Sequence, residues 1–446
     1  PGAEQIAAIT VLTFTAAAAG LPDIDGNGGA DLVLALGVPA GSLLHAVTVV
    51  QLQSNGSLIN ATVHAPTLAG LPAAQTVSAQ SIARIPDMTG DGHCDLLWGL
   101  HSANEASATT DRAFLYVLGV SANMHTILSV SRVDLAPAAA TALSAHPQLT
   151  AFGTRVAAPG VGTASDGQLL LIDIAIPRGV SRVLYASLLP GAVPELAGLG
   201  VLQPQSSDAL LPFAPNASLH WSMAAGMWHV PNTPAPVLSV LIGANTALDG
   251  DGLLLRLDTS LQAHPNATNL PTAGDTCSAD VSNFQNSILP VAADGMDFPV
   301  SASNAQNVMP LPHAAFPDED APLIAVSQAE RDASQGRVIV VRAEPDSLAA
   351  VSVALEITAP AAAFGVTRSD FVFFGSTVAL LGSPPELDTI GGGCLLAVRA
   401  AIAINSHWVV MFVHVRANLT TAYAGHVLFA DPAIMDALPG EASYDP

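Results

Sequence analysis

Residues 23–31 read Asp-Ile-Asp-Gly-Asn-Gly-Gly-Ala-Asp, and the apolar run Leu-Val-Leu-Ala-Leu follows at once in residues 32–36. A related stretch, Asp-Met-Thr-Gly-Asp-Gly-His-Cys-Asp, occupies residues 87–95 and leads into Leu-Leu-Trp-Gly-Leu. Asp31 and Asp95 close the two stretches and are separated by 95 − 31 = 64 residues. A loop and an apolar strand that return together at such an interval indicate a repeat architecture.

Both stretches have the composition of a cation-binding loop. They place oxygen-bearing side chains at loop positions 1, 3, 5 and 9, and their glycines at positions 4 and 6 allow the backbone to turn tightly. Hard oxygen donors in this number favour Ca²⁺ over Mg²⁺. We therefore predict two calcium sites. The predicted ligands are Asp23, Asp25, Asn27, the carbonyl of Gly29 and Asp31 in loop one, and Asp87, Thr89, Asp91, the carbonyl of His93 and Asp95 in loop two.

The composition of these loops is also compared with two other structures. An EF-hand needs a glutamate at position 12, where the two loops have Leu34 and Trp98, and it needs flanking helices where strands are predicted here. A polar hairpin built on Asx turns, with no metal, is the remaining alternative. If the metal is present, it is expected to be structural, because a bound cation offsets the repulsion between the clustered carboxylates.

Short strand patterns separated by turn residues recur through the chain. The third strand of each repeat is predicted to begin near residues 45, 112, 181, 251, 336 and 407, so the steps are 67, 69, 70, 85 and 71. The excess of the long step falls in Asn269–Asn307, which is predicted to be an irregular excursion between blades. A period of this length with about four antiparallel strands is typical of an all-β propeller, and residues 1–446 are predicted to form one such domain.

The pattern Phe-Gly-x-x-Val-Ala, followed by the metal loop and a buried strand, resembles the FG-GAP repeats of integrin α-subunit propellers. Phe152-Gly153 and Phe374-Gly375 match the Phe-Gly pair, and the two metal loops match the calcium motif. This resemblance implies an extracellular adhesion or assembly protein and usually seven blades. Six blades are recognisable, so either Ile6–Phe14 together with Gly425–Asp431 completes a further blade or the chain is a six-bladed relative.

The composition narrows the range of partners. The formal net charge is −23, from 36 acidic residues against 13 basic ones, so the surface repels nucleic acids and anionic membranes. No apolar run reads as a membrane span, and the opening residue Pro1 indicates a processed or partial chain.

The glycosylation sequons, together with the calcium loops, point to a secreted or cell-surface location. Sequons begin at Asn55, Asn60, Asn216, Asn266 and Asn418, and we predict glycosylation at these positions. The cysteines are Cys94, Cys277 and Cys394, which allow one disulfide and one free thiol, with the pairing left open.

No nucleophile elbow, zinc-protease motif or phosphate loop occurs, so the chain is predicted not to be an enzyme. The sequence favours a calcium-stabilised module of a surface coat or filament that binds other surface proteins or itself. A carbohydrate-binding propeller is the alternative, with Trp228 as a candidate sugar-stacking residue. A calcium-dependent polysaccharide-cleaving enzyme ranks last.

Overall fold

The computed structural model is nearly all β-strand. It describes residues 17–21, 26–27, 30–36, 46–53, 58–64, 68, 77–102, 113–121, 127–137, 151–158, 162–163, 167–175, 182–202, 222–228, 237–244, 253–259, 287–290, 304–329, 335–343, 351–382, 392–402 and 407–429. In these ranges no helix is both long enough and apolar enough to cross a membrane.

The described strands form six sheets, each built from consecutive stretches of chain. Blade one contains β1 (Ala17–Leu21), β2 (Asp31–Leu36), β3 (Ala46–Leu52) and β4 (Leu58–His64). Blade two contains β5 (Val77–Ile85), β6 (Asp95–Ser102), β7 (Ala113–Val120) and β8 (Ile127–Arg132). Blade three contains β9 (Asp134–Leu135), β10 (Ala151–Ala157), β11 (Gly162–Thr163), β12 (Gly167–Ala175), β13 (Arg182–Leu189) and β14 (Glu195–Leu202).

The second half of the chain repeats this plan. Blade four contains β15 (Ser222–Trp228), β16 (Val237–Ala244), β17 (Leu253–Thr259) and β18 (Ser287–Pro290). Blade five contains β19 (Asn304–Pro310), β20 (Leu323–Gln328), β21 (Arg337–Ala343) and β22 (Val351–Ile357). Blade six contains β23 (Phe371–Val372), β24 (Val378–Gly382), β25 (Gly393–Ile402), β26 (His407–Arg416) and β27 (Thr421–Phe429).

The blades close into a ring through their first strands. The innermost strand of each blade lies against the innermost strand of the next blade, and β24 of blade six lies against β1 of blade one. These innermost strands are β1, β5, β10, β15, β19 and β24. Apolar cores fill the junctions: Leu32 and Leu34 of blade one pack with Leu395 and Phe412 of blade six. A ring of four-stranded blades whose faces are buried against each other is a six-bladed β-propeller.

The predicted strand spacing is confirmed. The third strands β3, β7, β13, β17, β21 and β26 begin at residues 46, 113, 182, 253, 337 and 407, within two residues of the predicted positions. Residues 425–429 are not part of a separate blade, because they belong to β27, which pairs with β26 as the outer strand of blade six. Ile6–Phe14 lies outside the described residues.

The predicted excursion between blades is wrong in its placement. Within Asn269–Asn307, the strand β18 pairs with β17 as the last strand of blade four, and β19 begins the next blade at Asn304. The long connection therefore interrupts blade four between its third and fourth strands. Its Pro- and Asn-rich composition concealed the short strand Ser287–Pro290 from a reading of local pattern.

Successive connections alternate between the two ends of the ring, because the strands of each blade run antiparallel. The connections from first to second and from third to fourth strands lie at one end, which we call the loop face; residues 86–94, 190–194 and 417–420 belong to it. The second-to-third connections and the linkers between blades lie at the other end, the linker face, which includes residues 358–377. Both predicted metal loops are therefore on the loop face.

Candidate metal loops and blade junctions

Loop two brings three carboxylates together. Asp87, Asp91 and Asp95 each offer an oxygen atom, and these atoms lie within 4.8 Å of one another. Asp95 is the first residue of β6 and is fully buried, whereas Asp91 is exposed. The sequence places these residues four apart, and the tight turn through Gly90 and Gly92, both with positive φ, converts that spacing into a cluster.

Backbone amides hold the Asp87 carboxylate in place. Its oxygens accept hydrogen bonds from the N–H groups of Gly90 at 2.6 Å, Gly92 at 2.7 Å and Asp91 at 3.2 Å. Burial by itself raises the pKa of Asp87, but these amides, with that of Thr89, together hold the pKa below its ordinary value. Asp87 is thus an ionised carboxylate in a fixed orientation.

The pKa of Asp95 is shifted in the opposite direction from that of Asp87. Burial and the nearby negative charge of Asp91 raise the pKa of Asp95 to about 6. The N–H groups of Met88 and Thr89 donate to its Oδ2 at 2.7 and 2.9 Å and offset part of that rise. A buried carboxylate beside another carboxylate is a position where a bound cation lowers the free energy of the ionised form.

The donor set of loop two fits a hard divalent cation. The Thr89 hydroxyl lies 3.3 Å from Asp95 Oδ1, and the His93 N–H holds Asp91 by a 2.9 Å bond to Oδ1. All the grouped side-chain atoms are oxygens, and Asp87 Oδ2 and Asp95 Oδ1 each accept one described hydrogen bond, which leaves each of them a further lone pair. The flanking elements are the strands β5 and β6, so the EF-hand alternative is excluded here.

Loop one is described only in part. Asp23, Asp25 and Gly29 lie outside the described residues, while Asn27 is exposed and Asp31 is fully buried. Asp31 Oδ1 accepts the N–H of Leu52 at 2.8 Å, and the Asn27 amide donates to the Leu52 carbonyl at 3.1 Å. Both polar side chains therefore anchor loop one to the end of β3 in its own blade.

Loop two also reaches the next blade. Met88 is 1% exposed, and its side chain packs in the core between blades two and three with Val156, Leu170 and Leu188. Its carbonyl accepts the N–H of Gly191, at 3.2 Å, from the β13–β14 hairpin. The loop is thus part of the blade two–three junction.

The Phe374-Gly375 pair forms another blade junction, on the linker face. Phe374 is fully buried, and its N–H donates to the carbonyl of Gln335 in the β20–β21 hairpin of blade five. Gly375 has φ +91 and donates to the carbonyl of Arg399 at 2.9 Å. The pair predicted from its sequence therefore joins blades five and six. Phe152-Gly153 lies in β10, at the start of a register irregularity.

Sequence reasoning missed Phe373. This residue precedes the Phe-Gly pair on the linker face, has φ +57 and is 36% exposed. A bulky residue with positive φ is a genuine conformational outlier, and such outliers concentrate at functional positions. The run Phe371–Phe374 reads as a strand, and no local signal marks its third residue as left-handed.

An aromatic wedge adjoins this position. Phe364, in the linker between blades five and six, makes edge contacts with Phe371 and Tyr423, at centroid distances of 5.2 and 5.9 Å. The Tyr423 hydroxyl hydrogen-bonds His426 Nδ1 on the same outer strand, and burial raises the pKa of Tyr423 to about 12. The wedge fills the space beside β27, so its role is packing.

Among the tryptophans and cysteines, Trp98 and Cys394 are buried and Cys94 is half-buried. Trp98 is fully buried in blade two, and nothing is described for the side chain of Trp228. Cys94 and Cys394 are both free thiols, so no disulfide joins them, and Cys277 lies outside the described residues. Burial raises the pKa of Cys394 to about 12, which makes that thiol unreactive.

Two of the predicted glycosylation sites lie among the described residues, and both are exposed. Asn60 is exposed on the outer strand β4, and Asn418 is exposed in the β26–β27 turn, where the Thr420 hydroxyl donates to its Oδ1 at 2.7 Å. Asn55, Asn216 and Asn266 lie outside the described residues. Glycosylation at all five sites stays a prediction.

The fold defines the chain as a six-bladed β-propeller with acidic loops on one face. No family model matches the chain, and no curated protein sequence is similar to it, so the FG-GAP family is not confirmed. Among solved structures it is similar to the fucose-recognising lectin of Aleuria aurantia, a six-bladed propeller, at 8% identity with a TM-score of 0.46 over 95% of this chain and 99% of that one. It is also similar to the NanB sialidase of Streptococcus pneumoniae, at 8% identity with a TM-score of 0.46 over 94% of this chain and 68% of that one. At these identities and TM-scores, the similarity concerns the fold alone.

Proposed function

We propose that the protein is a non-catalytic extracellular propeller that binds carbohydrate at the blade five–six junction of the linker face and is braced by calcium on the loop face. The observation that carries the binding proposal is Phe373, an exposed aromatic ring held in a left-handed backbone conformation. The surrounding fold stabilises an arrangement that is unfavourable for the residue itself. This is the expected signature of a side chain kept outward for contact with a ligand.

The linker that carries Phe373 also carries polar groups that suit a sugar. The same linker carries the exposed side chains of Thr367 and Ser369, whose hydroxyls lie 2.7 Å apart, and the half-buried Asp370. Asp370 Oδ2 accepts the Thr367 hydroxyl at 2.8 Å and so fixes the polar group in place. An aromatic ring combined with a few oriented polar groups is the general composition of a small-molecule site. Sugars, with apolar C–H faces and many hydroxyls, match both parts.

Phe373→Ala is expected to weaken glycan binding at least tenfold without lowering stability. Tenfold corresponds to about 1.4 kcal/mol, which loss of one aromatic contact readily supplies. Glycan-array screening followed by isothermal titration calorimetry measures the binding, and thermal melting measures the stability. Phe373→Gly should give the same loss of binding with a higher melting temperature, because glycine adopts positive φ without strain.

Leu128→Ala is the matched control for that experiment, since Leu128 is also an exposed apolar residue, at 56%, but lies on the outer strand of blade two. It should leave glycan affinity unchanged. Equal affinity of the wild type and Phe373→Ala would overturn the site, and cleavage of the bound glycan would overturn the non-catalytic assignment.

The calcium proposal is supported by the carboxylate cluster of loop two and by the oxygen-only character of its donors. Asp87, Asp91 and Asp95 would hold the ion, with the Thr89 hydroxyl beside them. The exposed sequon at Asn418 on the loop face is consistent with an extracellular location. Calcium would then stabilise the face opposite the binding junction.

Assembly with further copies or with other surface proteins is a second candidate, favoured by exposed apolar residues on outer strands. Ile59, Leu128 and Val353 lie on β4, β8 and β22 and are 42%, 56% and 36% exposed. Apolar side chains on sheet edges favour association with another strand or surface.

The double variant Leu128→Asp with Val353→Asp is expected to reduce self-association, because it places charge on two of these edges. Analytical ultracentrifugation over a hundredfold range of protein concentration measures it. Phe373→Ala serves as the control and should associate like the wild type. A wild-type protein that stays monomeric over the whole range contradicts assembly between copies.

A further inference from the structure

We infer that Met88 links cation binding in loop two to the docking of blade three. The inference rests on the calcium brace of the proposed function and adds a route by which the ion acts beyond its own loop. Met88 lies between two predicted ligands, Asp87 and Thr89, so an ion that orders these neighbours also orders Met88.

Met88 contacts both sides of the junction with its backbone. Its N–H donates to Asp95 Oδ2 at 2.7 Å, within the carboxylate cluster, and its carbonyl accepts the N–H of Gly191 from blade three at 3.2 Å. One peptide segment therefore connects the ligand set with the β13–β14 hairpin. A shift of Asp95 on ion binding is felt directly at Gly191.

The Met88 side chain makes the same connection by packing. It is 1% exposed in a core that contains Ile85 and Leu97 of blade two and Ala186, Leu188 and Leu196 of blade three. Packed cores transmit small displacements because they have few voids to absorb them. The loop cannot loosen without removing an apolar side chain from the interface between the blades.

The arrangement differs from that of loop one. There, the side chains of Asp31 and Asn27 bond to Leu52 in the same blade, and the contact with a neighbouring blade is the small side chain of Ala30, which packs in the core shared with blade six. In loop two, a backbone hydrogen bond and the long side chain of Met88 both cross to the next blade. By thermodynamic linkage, ion binding that strengthens the junction implies that an intact junction strengthens ion binding by the same factor.

Hydrogen exchange measured by mass spectrometry on the full chain tests the inference, with calcium chloride and EGTA as the two conditions. In the wild type, calcium should slow exchange in residues 186–196 at least fivefold. In Met88→Ala, calcium should still slow exchange in residues 87–95, while the slowing in 186–196 falls below twofold. Met88→Leu, which conserves volume, should restore most of the effect.

Leu97→Ala is the matched control, because Leu97 is also 1% exposed in the same core but lies outside the loop. It should lower stability and keep the calcium-dependent slowing in 186–196. Full slowing in Met88→Ala, or a wild type that binds calcium with no slowing in 186–196, overturns the link while the calcium brace stands.

Absence of any calcium binding by titration calorimetry overturns the brace instead. The link is then tested through Asp95→Asn alone. A change in exchange at 186–196 in that variant supports the mechanical connection through Met88, and no change overturns it.

Discussion

Asp95→Asn is expected to stabilise the calcium-free protein at neutral pH and to destabilise the calcium-loaded protein. In the calcium-free protein the ionised Asp95 is buried beside Asp91, and a pKa of about 6 against the ordinary 3.8 corresponds to a cost of roughly 3 kcal/mol as an upper bound. Asparagine removes that charge and keeps an oxygen for the N–H groups of Met88 and Thr89.

Bound calcium reverses the sign of the effect of Asp95→Asn on the free energy of unfolding. An ion held by the three carboxylates at a hundred times its dissociation constant adds about 2.7 kcal/mol to the free energy of unfolding, and the asparagine variant loses most of this term. Urea denaturation of both proteins in calcium and in EGTA measures the four free energies. A variant that is less stable than the wild type in both conditions would contradict the electrostatic argument.

The stability of the calcium-free protein should depend on pH through the same raised pKa of Asp95. A carboxyl group whose pKa is raised in the folded state favours folding while protonated, so its contribution is complete below pH 3.8 and is lost as the pH rises through about 6. The calcium-free wild type should therefore lose stability across this window relative to Asp95→Asn. Asp318→Asn, at an exposed acidic position, is the control and should follow the wild-type curve.

Gly20→Ala is expected to have the second large effect, because it acts where the ring closes. Gly20 lies in β1, and a methyl group added there would overlap the backbone carbonyl oxygen of Leu380 in β24. A backbone atom cannot move aside as a side chain can, so the first strands of blades one and six must separate. We expect a loss of about 3 kcal/mol in the free energy of unfolding, at the upper end for overpacking.

Gly26→Ala separates this clash from ordinary conformational strain. Gly26 has φ +76, and a methyl group there would have no neighbour within 4 Å, so only the backbone preference opposes the change. That variant should lose about 1 kcal/mol. Urea midpoints of the two variants measure the difference, and limited proteolysis should show faster cleavage around β1 in Gly20→Ala alone. Equal losses would mean that the ring does not close through this contact.

Much of the architecture follows from local pattern. Strand length, alternation with turn residues and a repeat of about 70 residues all act over a few positions at a time, so the start of each third strand could be predicted within two residues. The prediction was wrong within Asn269–Asn307, where β18 is a four-residue strand in a polar stretch. Its strand conformation depends on pairing with β17, which local pattern does not report.

For the candidate sites too, some features follow from local sequence and others depend on distant residues. The order of ligands in loop two is a matter of spacing, and the grouping of Asp87, Asp91 and Asp95 agrees with it. The raised pKa of Asp95 requires knowledge of what surrounds it. Phe373 carries no sequence signal, and its left-handed backbone precedes Phe374, whose N–H bonds to Gln335 of another blade.

The amino-acid sequence alone specifies the repeat, the strands and the order of the oxygen donors, because these depend on residues close together in the chain. The contact of β1 with β24, the position of Met88 between two blades and the exposure of Phe373 depend on residues far apart in the chain. Such contacts exist only after the blades have packed. The number of blades and the location of the proposed binding site are therefore properties of the closed ring.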